Sequence, residues 1–264
     1  MKVSSLKNIK NNLAILYYYF TRKVYGRGYE RYKQNLINNL INKKKVYPIS
    51  YVDERIVEIP WVINELKGLK GSLLDAGSTL NFKYILKNLT HFKKIFISTL
   101  YPENIYFNDL NISYTYEDLS KLSFKNDYFD VVTCISTLEH IGFNNNIYNY
   151  GKFKLDNRNR IKLKSVLFNL KRVLKKNGTL LITIPYGKRG IYENMQQFDD
   201  KELKQIINQL KSKKKEITYF RYYENKWRMT SKNECLNIEP NIKKIKNRKV
   251  VLSSNSVALI KMIK

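Results

Sequence analysis

The chain has 264 residues, 43% of them apolar and 27% charged. That excludes a disordered chain and suits one large domain with a full core plus an appendage. The formal net charge of +27 admits a nucleic acid or an anionic membrane surface as partner, and excludes neither.

The distribution of the charge favours a plainer origin. Lys outnumbers Arg 38 to 11, Asn, Ile and Tyr are abundant, and Gly stands at only 10. The lysines scatter along the whole chain, as the coding bias of an AT-rich genome would place them. Leu13–Phe20 is the longest fully apolar run, far short of the roughly 18 to 20 residues that cross a bilayer. Arg22 and Lys23 follow it without a small-residue cleavage site, so no signal peptide is expected. Cys134 and Cys235 have no metal spacing, and a reduced, cytoplasmic setting is the default.

Residues 1–45 read as a helical N-terminal extension, broken near Gly26 and Gly28. Leu13, Leu16, Leu36, Ile37, Leu40 and Ile41 recur at helical spacing among basic residues. A lid on the main domain is the favoured reading, and peripheral membrane contact the alternative. Lys43–Lys45 and Pro48 mark a linker to the main domain, residues 46–264. Asp53, Glu54 and Glu58 form an acidic cluster ahead of Pro60, which suits a first helical turn. The cluster reads as a solvated helix start, with a nearby cationic ligand as the alternative.

Strands are expected at Ser72–Asp75, Lys94–Thr99, Ile112–Tyr116, Val131–Ile135, Thr179–Pro185, Glu216–Tyr223 and Ser256–Met262. Helices are expected at Phe82–Leu89, at Ile161–Lys175 before the stop Asn177-Gly178, and at Asp199–Leu210 with Asp199 as N-cap. Alternating strands and helices give an α/β class: a Rossmann-like, doubly wound, mostly parallel seven-stranded sheet. The stretch Gly71–Asn81 is its first strand, acid, glycine turn and helix start. Such a turn brings backbone and free N–H groups close to a ligand.

Three stretches in order resemble the class I S-adenosylmethionine-dependent methyltransferases, of the type 11-like kind. They are LLDAGSTLN from Leu73, YEDLSKLSFKNDYFDVVTCISTLEHIG over Tyr116–Gly142, and FNLKRVLKKNGTLLITIPYG over Phe168–Gly187. A narrower similarity is to bacterial enzymes that modify sugars or cell-surface polysaccharide. The resemblance implies S-adenosylmethionine as cofactor and places Asp75 and Gly77 under its methionine part. It puts Asp118 at the adenine amino group and Leu119 against the ring. Ser136 to His140 would line the cleft, with Pro185 and Tyr186 as its far lip. Thr79 and Asn81 stand where the family has glycines, and Thr99 where it has a ribose-binding acid, with Glu103 able to fold back instead. For Asp75 the alternative is a cap on its own turn; for Asp118, an exposed loop acid.

Methyl transfer is an in-line displacement, so positioning dominates and a hydroxyl acceptor also needs a base. His140 is the candidate base, since imidazole titrates near neutrality, and Glu139 can orient it or face the cofactor. The expected function is methyl transfer to a small or sugar-like acceptor, through a hydroxyl. RNA methylation and a non-catalytic methyltransferase-fold protein are the alternatives. No Asn-Pro-Pro-Tyr-type motif follows the fourth strand and no Pro-Cys pair exists, which argues against amino-methylation of that type and against covalent cytosine methylation. No metal is expected. Phe143–Arg160 is the polar, aromatic-dotted stretch expected to form a substrate-facing loop, while Tyr219–Trp227 reads as an edge strand with its turn, with stacking on a sugar or base as the alternative. The sequence fixes no oligomeric state.

Overall fold

The structure, a computed structural model, describes residues 30–42, 53–107, 110–143, 159–192, 195–224, 226–245 and 248–264. The chain divides into two units, Met1–Val46 and Tyr47–Lys264. In the first, residues 30–41 are helical (α1). The rest of the expected N-terminal helices, the linker at Lys43–Pro48 and residues 144–158 of the expected acceptor loop lie outside the described residues.

The second unit opens with α2 (Arg55–Leu66), β1 (Ser72–Ala76), the short α3 (Lys83–Leu86), β2 (Lys94–Thr99), β3 (Ile112–Tyr116) and β4 (Phe129–Ile135). There follow α4 (Asn159–Val173), β5 (Leu174–Pro185), the two-residue strands β6 (Gly190–Ile191) and β7 (Gln196–Gln197), and α5 (Asp200–Leu210). The chain closes with β8 (Lys214–Tyr223), β9 (Lys226–Thr230), α6 (Lys232–Cys235), β10 (Asn241–Ile245), β11 (Arg248–Ser253) and β12 (Ser256–Ile263).

The main sheet has eight strands in the order β3-β2-β1-β4-β5-β12-β8-β9. β3, β2, β1, β4 and β5 pair in parallel, and β12 lies antiparallel between β5 and β8. The order reverses between β1 and β4, so their carboxyl ends flank the crevice where such sheets bind ligands. The eighth strand, one more than expected, is β9, which folds back antiparallel on β8.

Apolar alternation explains the core. Leu74, Val132 and Ile182 from the sheet cluster with Val166 and Leu170 of α4 and Leu203 of α5. α5 is fixed at its start by a reciprocal cap: Asp199 accepts from the Glu202 N–H, and Glu202 accepts from the Asp199 N–H. Several boundaries differ from expectation, among them α3, which is only Lys83–Leu86, and two have a clear local cause. α2 starts at Arg55, so Pro60 lies inside it and not in its first turn. α4 ends at Val173, and Asn177-Gly178 serves a strand irregularity instead: β5 pairs Leu174 with Phe129, then jumps to Thr179 opposite Val131. Asn177 takes φ 61° there, a left-handed conformation that Asn tolerates.

Candidate active site

The turn after β1 is built by its own side chains. Gly77 has φ 118°, and its N–H donates to the Ser98 carbonyl of β2 at 2.8 Å. A Cβ there would stand 2.1 Å from Thr137 Oγ1, so the position requires glycine twice over. Asp75 is fully buried and points inward. It accepts from the Leu80 N–H at 2.7 Å and from Thr133 Oγ1 at 3.0 Å. Burial pushes its carboxyl up to about 7, against those two bonds, which favour the ionised form. Asp75 thus caps its own turn and ties it to β4.

Glu103 folds back to this turn. Its Oε2 accepts from Ser78 Oγ at 2.7 Å and from Asn81 Nδ2 at 3.1 Å. Asn81 is held further by the Ile105 carbonyl and the Tyr114 hydroxyl. Thr79 donates to the Ile135 carbonyl at the end of β4, 2.8 Å away. Both residues that replace glycines are therefore locked to neighbours, Asn81 toward β3 and Thr79 across the crevice. Thr99 ends β2, and its carbonyl accepts from the Glu117 N–H.

Asp118 follows β3 and caps the short 3₁₀ turn Leu119–Lys121 through the Ser120 N–H at 2.9 Å. Its other oxygen faces Lys162 Nζ at 3.2 Å. Burial opposes the charge, but Ser120 and Lys162 hold the carboxyl below the usual range. Leu119 beside it is buried.

At the end of β4, Ser136 takes φ 40° and its N–H donates to Thr183 of β5 at 3.1 Å (carbonyl) and 3.0 Å (hydroxyl). Its hydroxyl donates to Glu58 Oε1 of α2 at 2.7 Å. Glu58 is fully buried and pairs with Arg55 at 2.7 Å. Glu139, in the 3₁₀ turn Leu138–His140, is 2% exposed, and its Oε2 has no hydrogen-bond partner among the described residues. Burial pushes the Glu139 carboxyl up to about 8; Arg55 works the other way, and Glu58 and Glu54 add to the rise. Glu54 accepts from the Ser254 N–H at 3.0 Å, and burial followed by the Glu58 charge raises it to about 7. His140 closes the turn, half-buried, its N–H on the Thr137 carbonyl.

The structure brings Asp75, Gly77, Glu103, Ser136 and Glu139 to one edge, with Thr99, Asp118 and Leu119 at the ends of β2 and β3. Tyr186 is no lip: it is fully buried, with its ring 5.1 Å from Tyr219. Of the acids read from sequence as a solvated helix start, Asp53 accepts from the Arg55 N–H at 3.2 Å as a helix start would, whereas Glu58 faces Ser136 and Glu54 faces Ser254. A signal for Glu58 existed: it shares the i, i+4, i+8 stripe with Val62 and Leu66, all buried. Tyr219–Trp227 forms the β8–β9 hairpin. Beside it lies an open groove of about 690 Å³ lined by Arg221, Tyr222, Tyr223, Glu239 and Asn255 among others. Asn255 follows the Ser254 that holds Glu54, so groove and acids adjoin along the chain. Among the described residues no group of three His, Cys, Asp or Glu could hold a metal ion, and no helix is long and apolar enough to cross a membrane.

Comparison with known proteins bears on the same region. The family described as "Methyltransferase domain" matches residues 96–182. No curated protein matches the chain. Among solved structures, one similar in fold is the Burkholderia thailandensis 1,6-didemethyltoxoflavin-N1-methyltransferase, bound to its substrate and S-adenosylhomocysteine. It is 9% identical with a TM-score of 0.50, over 100% of this chain and 91% of that one. The N-methyltransferase NodS of Bradyrhizobium japonicum, with S-adenosylhomocysteine, is 10% identical at TM-score 0.45, covering 89% and 87%. A Clostridium acetobutylicum S-adenosylmethionine-dependent methyltransferase is 12% identical at 0.46, covering 78% and 90%. The chain has the Rossmann-like fold of the S-adenosylmethionine-dependent methyltransferases and carries a match to the methyltransferase domain over residues 96–182.

Proposed function

We propose that this protein transfers a methyl group from S-adenosylmethionine to a hydroxyl of a small or sugar-like acceptor at the carboxyl edge of β1 and β4. The observation that carries the reading is the row of acids at that edge, which ends in a Glu139 oxygen with no hydrogen-bond partner among the described residues. When bound, the cofactor supplies an activated methyl group on a sulfonium cation.

The residues fit such a group. Glu103 stands at the turn where a ribose acid is needed, Asp118 is held ionised for an adenine amino group, and Leu119 offers an apolar flank. Asp75 and Gly77 shape the turn under the methionine part, Thr99 ends the neighbouring strand, and Ser136 borders the crevice. Glu139 takes the acceptor's proton, a task its raised carboxyl suits; His140 is its immediate neighbour on the turn.

Titration calorimetry with S-adenosylhomocysteine tests this. Saturable one-to-one binding is expected, weakened about tenfold or more in Asp118→Ala by loss of a charge-assisted hydrogen bond. A chain that does not bind at millimolar ligand is a methyltransferase fold without the activity. The Thr79 bond across the crevice favours that second reading.

A further inference from the structure

We infer that Asn81 is a positioning residue for Glu103, that the Tyr114 hydroxyl fixes which way its amide faces, and that this relay sets the selectivity of the site for a ribose diol. The inference rests on the methyl-transfer reading and deepens it.

Two departures from the methyltransferase pattern meet at one point. Asn81 stands where a turn glycine is expected, and Thr99 stands where the acid at the end of β2 is expected, with Glu103 four residues on. The Asn81 side chain joins the two. Its Nδ2 donates to Glu103 Oε2 at 3.1 Å and to the Ile105 carbonyl at 3.2 Å. A glycine at 81 has no side chain to do either. Ser78, at a left-handed φ of 62°, adds a further bond, its hydroxyl 2.7 Å from the same Glu103 oxygen. The segment carrying the acid is thus drawn back onto the β1 turn by that turn's own side chains, and one departure compensates the other.

The direction of the amide is decided by its neighbours. Asn81 is buried, at 2% exposure, so each of its polar atoms needs a partner. The Phe107 N–H donates to the Tyr114 hydroxyl at 3.0 Å, and that hydroxyl donates its own proton to Asn81 Oδ1 at 3.1 Å. Tyr114 lies on β3, opposite Ile97 of β2, so the relay is anchored in the sheet. Glu103 Oε2 and the Ile105 carbonyl can only accept, and the amide NH₂ must face them. A reversed amide would set its oxygen against the Glu103 carboxylate and leave buried polar atoms unpaired.

What the relay leaves open is the ligand side. Both bonds to Glu103 land on Oε2. Oε1 makes no hydrogen bond among the described residues, and it is not buried. The two acceptor sites on that oxygen match the two hydroxyls of a vicinal diol, and its charge strengthens both bonds. The same charge repels a phosphorylated ribose.

Calorimetry on the full chain tests this by comparing S-adenosylhomocysteine with an analogue that lacks both ribose hydroxyls. The ratio of the two dissociation constants reads the diol contact, because general damage to the turn weakens both ligands alike. The wild type should favour the diol by about tenfold or more. Asn81→Gly should lower that ratio as far as Glu103→Gln does, within about twofold, and Tyr114→Phe should lower it about threefold or more. A wild-type ratio near one, or a folded Asn81→Gly or Tyr114→Phe that keeps the wild-type ratio, would each overturn the inference. Should Asn81→Gly not fold, Tyr114→Phe, which keeps the ring, decides. S-adenosylhomocysteine bound at a ratio near one would remove only the relay. No binding of S-adenosylhomocysteine would remove the methyl-transfer reading, and the relay's purpose with it.

Discussion

Glu139 is 2% exposed with a carboxyl pushed up to about 8, so with no cationic ligand beside it the group is mostly protonated at neutral pH, and a bound sulfonium would favour its ionised form. The folded value lies above the unfolded one. Its contribution to stability is therefore fully present below about pH 4.3 and is lost as pH rises through about 8. Glu139→Gln copies the protonated form. It should match the wild type in urea unfolding only near pH 4, and its advantage should grow by on the order of 1–3 kcal/mol between pH 6 and pH 9; parallel curves at both pH values would contradict the burial argument. Gly77 gives a second test. With φ 118° and Thr137 Oγ1 2.1 Å from any Cβ, Gly77→Ala should cost about 2 kcal/mol or more in the same assay. At this scale the sequence was only partly legible. Asp75 and Gly77 could be read from the turn they make. Glu54 could not be placed, because an acid at a helix start is normally solvated; for Glu58 the one legible sign was its place on the apolar stripe with Val62 and Leu66.

Helix α5 shows what local chemistry can specify. Its start lies at Asp199 in sequence and structure alike, because the cap is made within four residues. Asp199→Ala should lose about 1 kcal/mol, read as a lower urea midpoint with unchanged slope. Where a segment's role depends on a distant partner, the local signal misleads. Asn177-Gly178 reads as a helix stop, yet its left-handed turn accommodates the jump in pairing between β5 and β4. β10 and β11 were not foreseen, since the lysine-rich segment around them lacks apolar alternation and their pairing is to each other. The β1 turn carries the sharpest element-scale question. Thr79→Gly removes the bond to the Ile135 carbonyl and frees the backbone to approach a ligand. Calorimetry should find S-adenosylhomocysteine bound more tightly; weaker binding would make that hydroxyl part of the site.

For the whole molecule, the parallel order around β1 and β4 sets the crevice, and alternating strand and helix patterns were enough to anticipate it. The net charge of +27 acts at longer range. Any association with RNA should fall steeply with salt as phosphate counterions are released. Transfer to a small acceptor should change little over the same range, because buried groups are weakly screened. Where the nucleoside lies decides whether the crevice between β1 and β4 is the cofactor site. A crystal structure of the chain with S-adenosylhomocysteine should place the purine at Asp118 and Leu119, the ribose at Glu103 and the sulfur facing Glu139. A purine anywhere else, or a crevice still closed by Thr79 at saturating ligand, would contradict it.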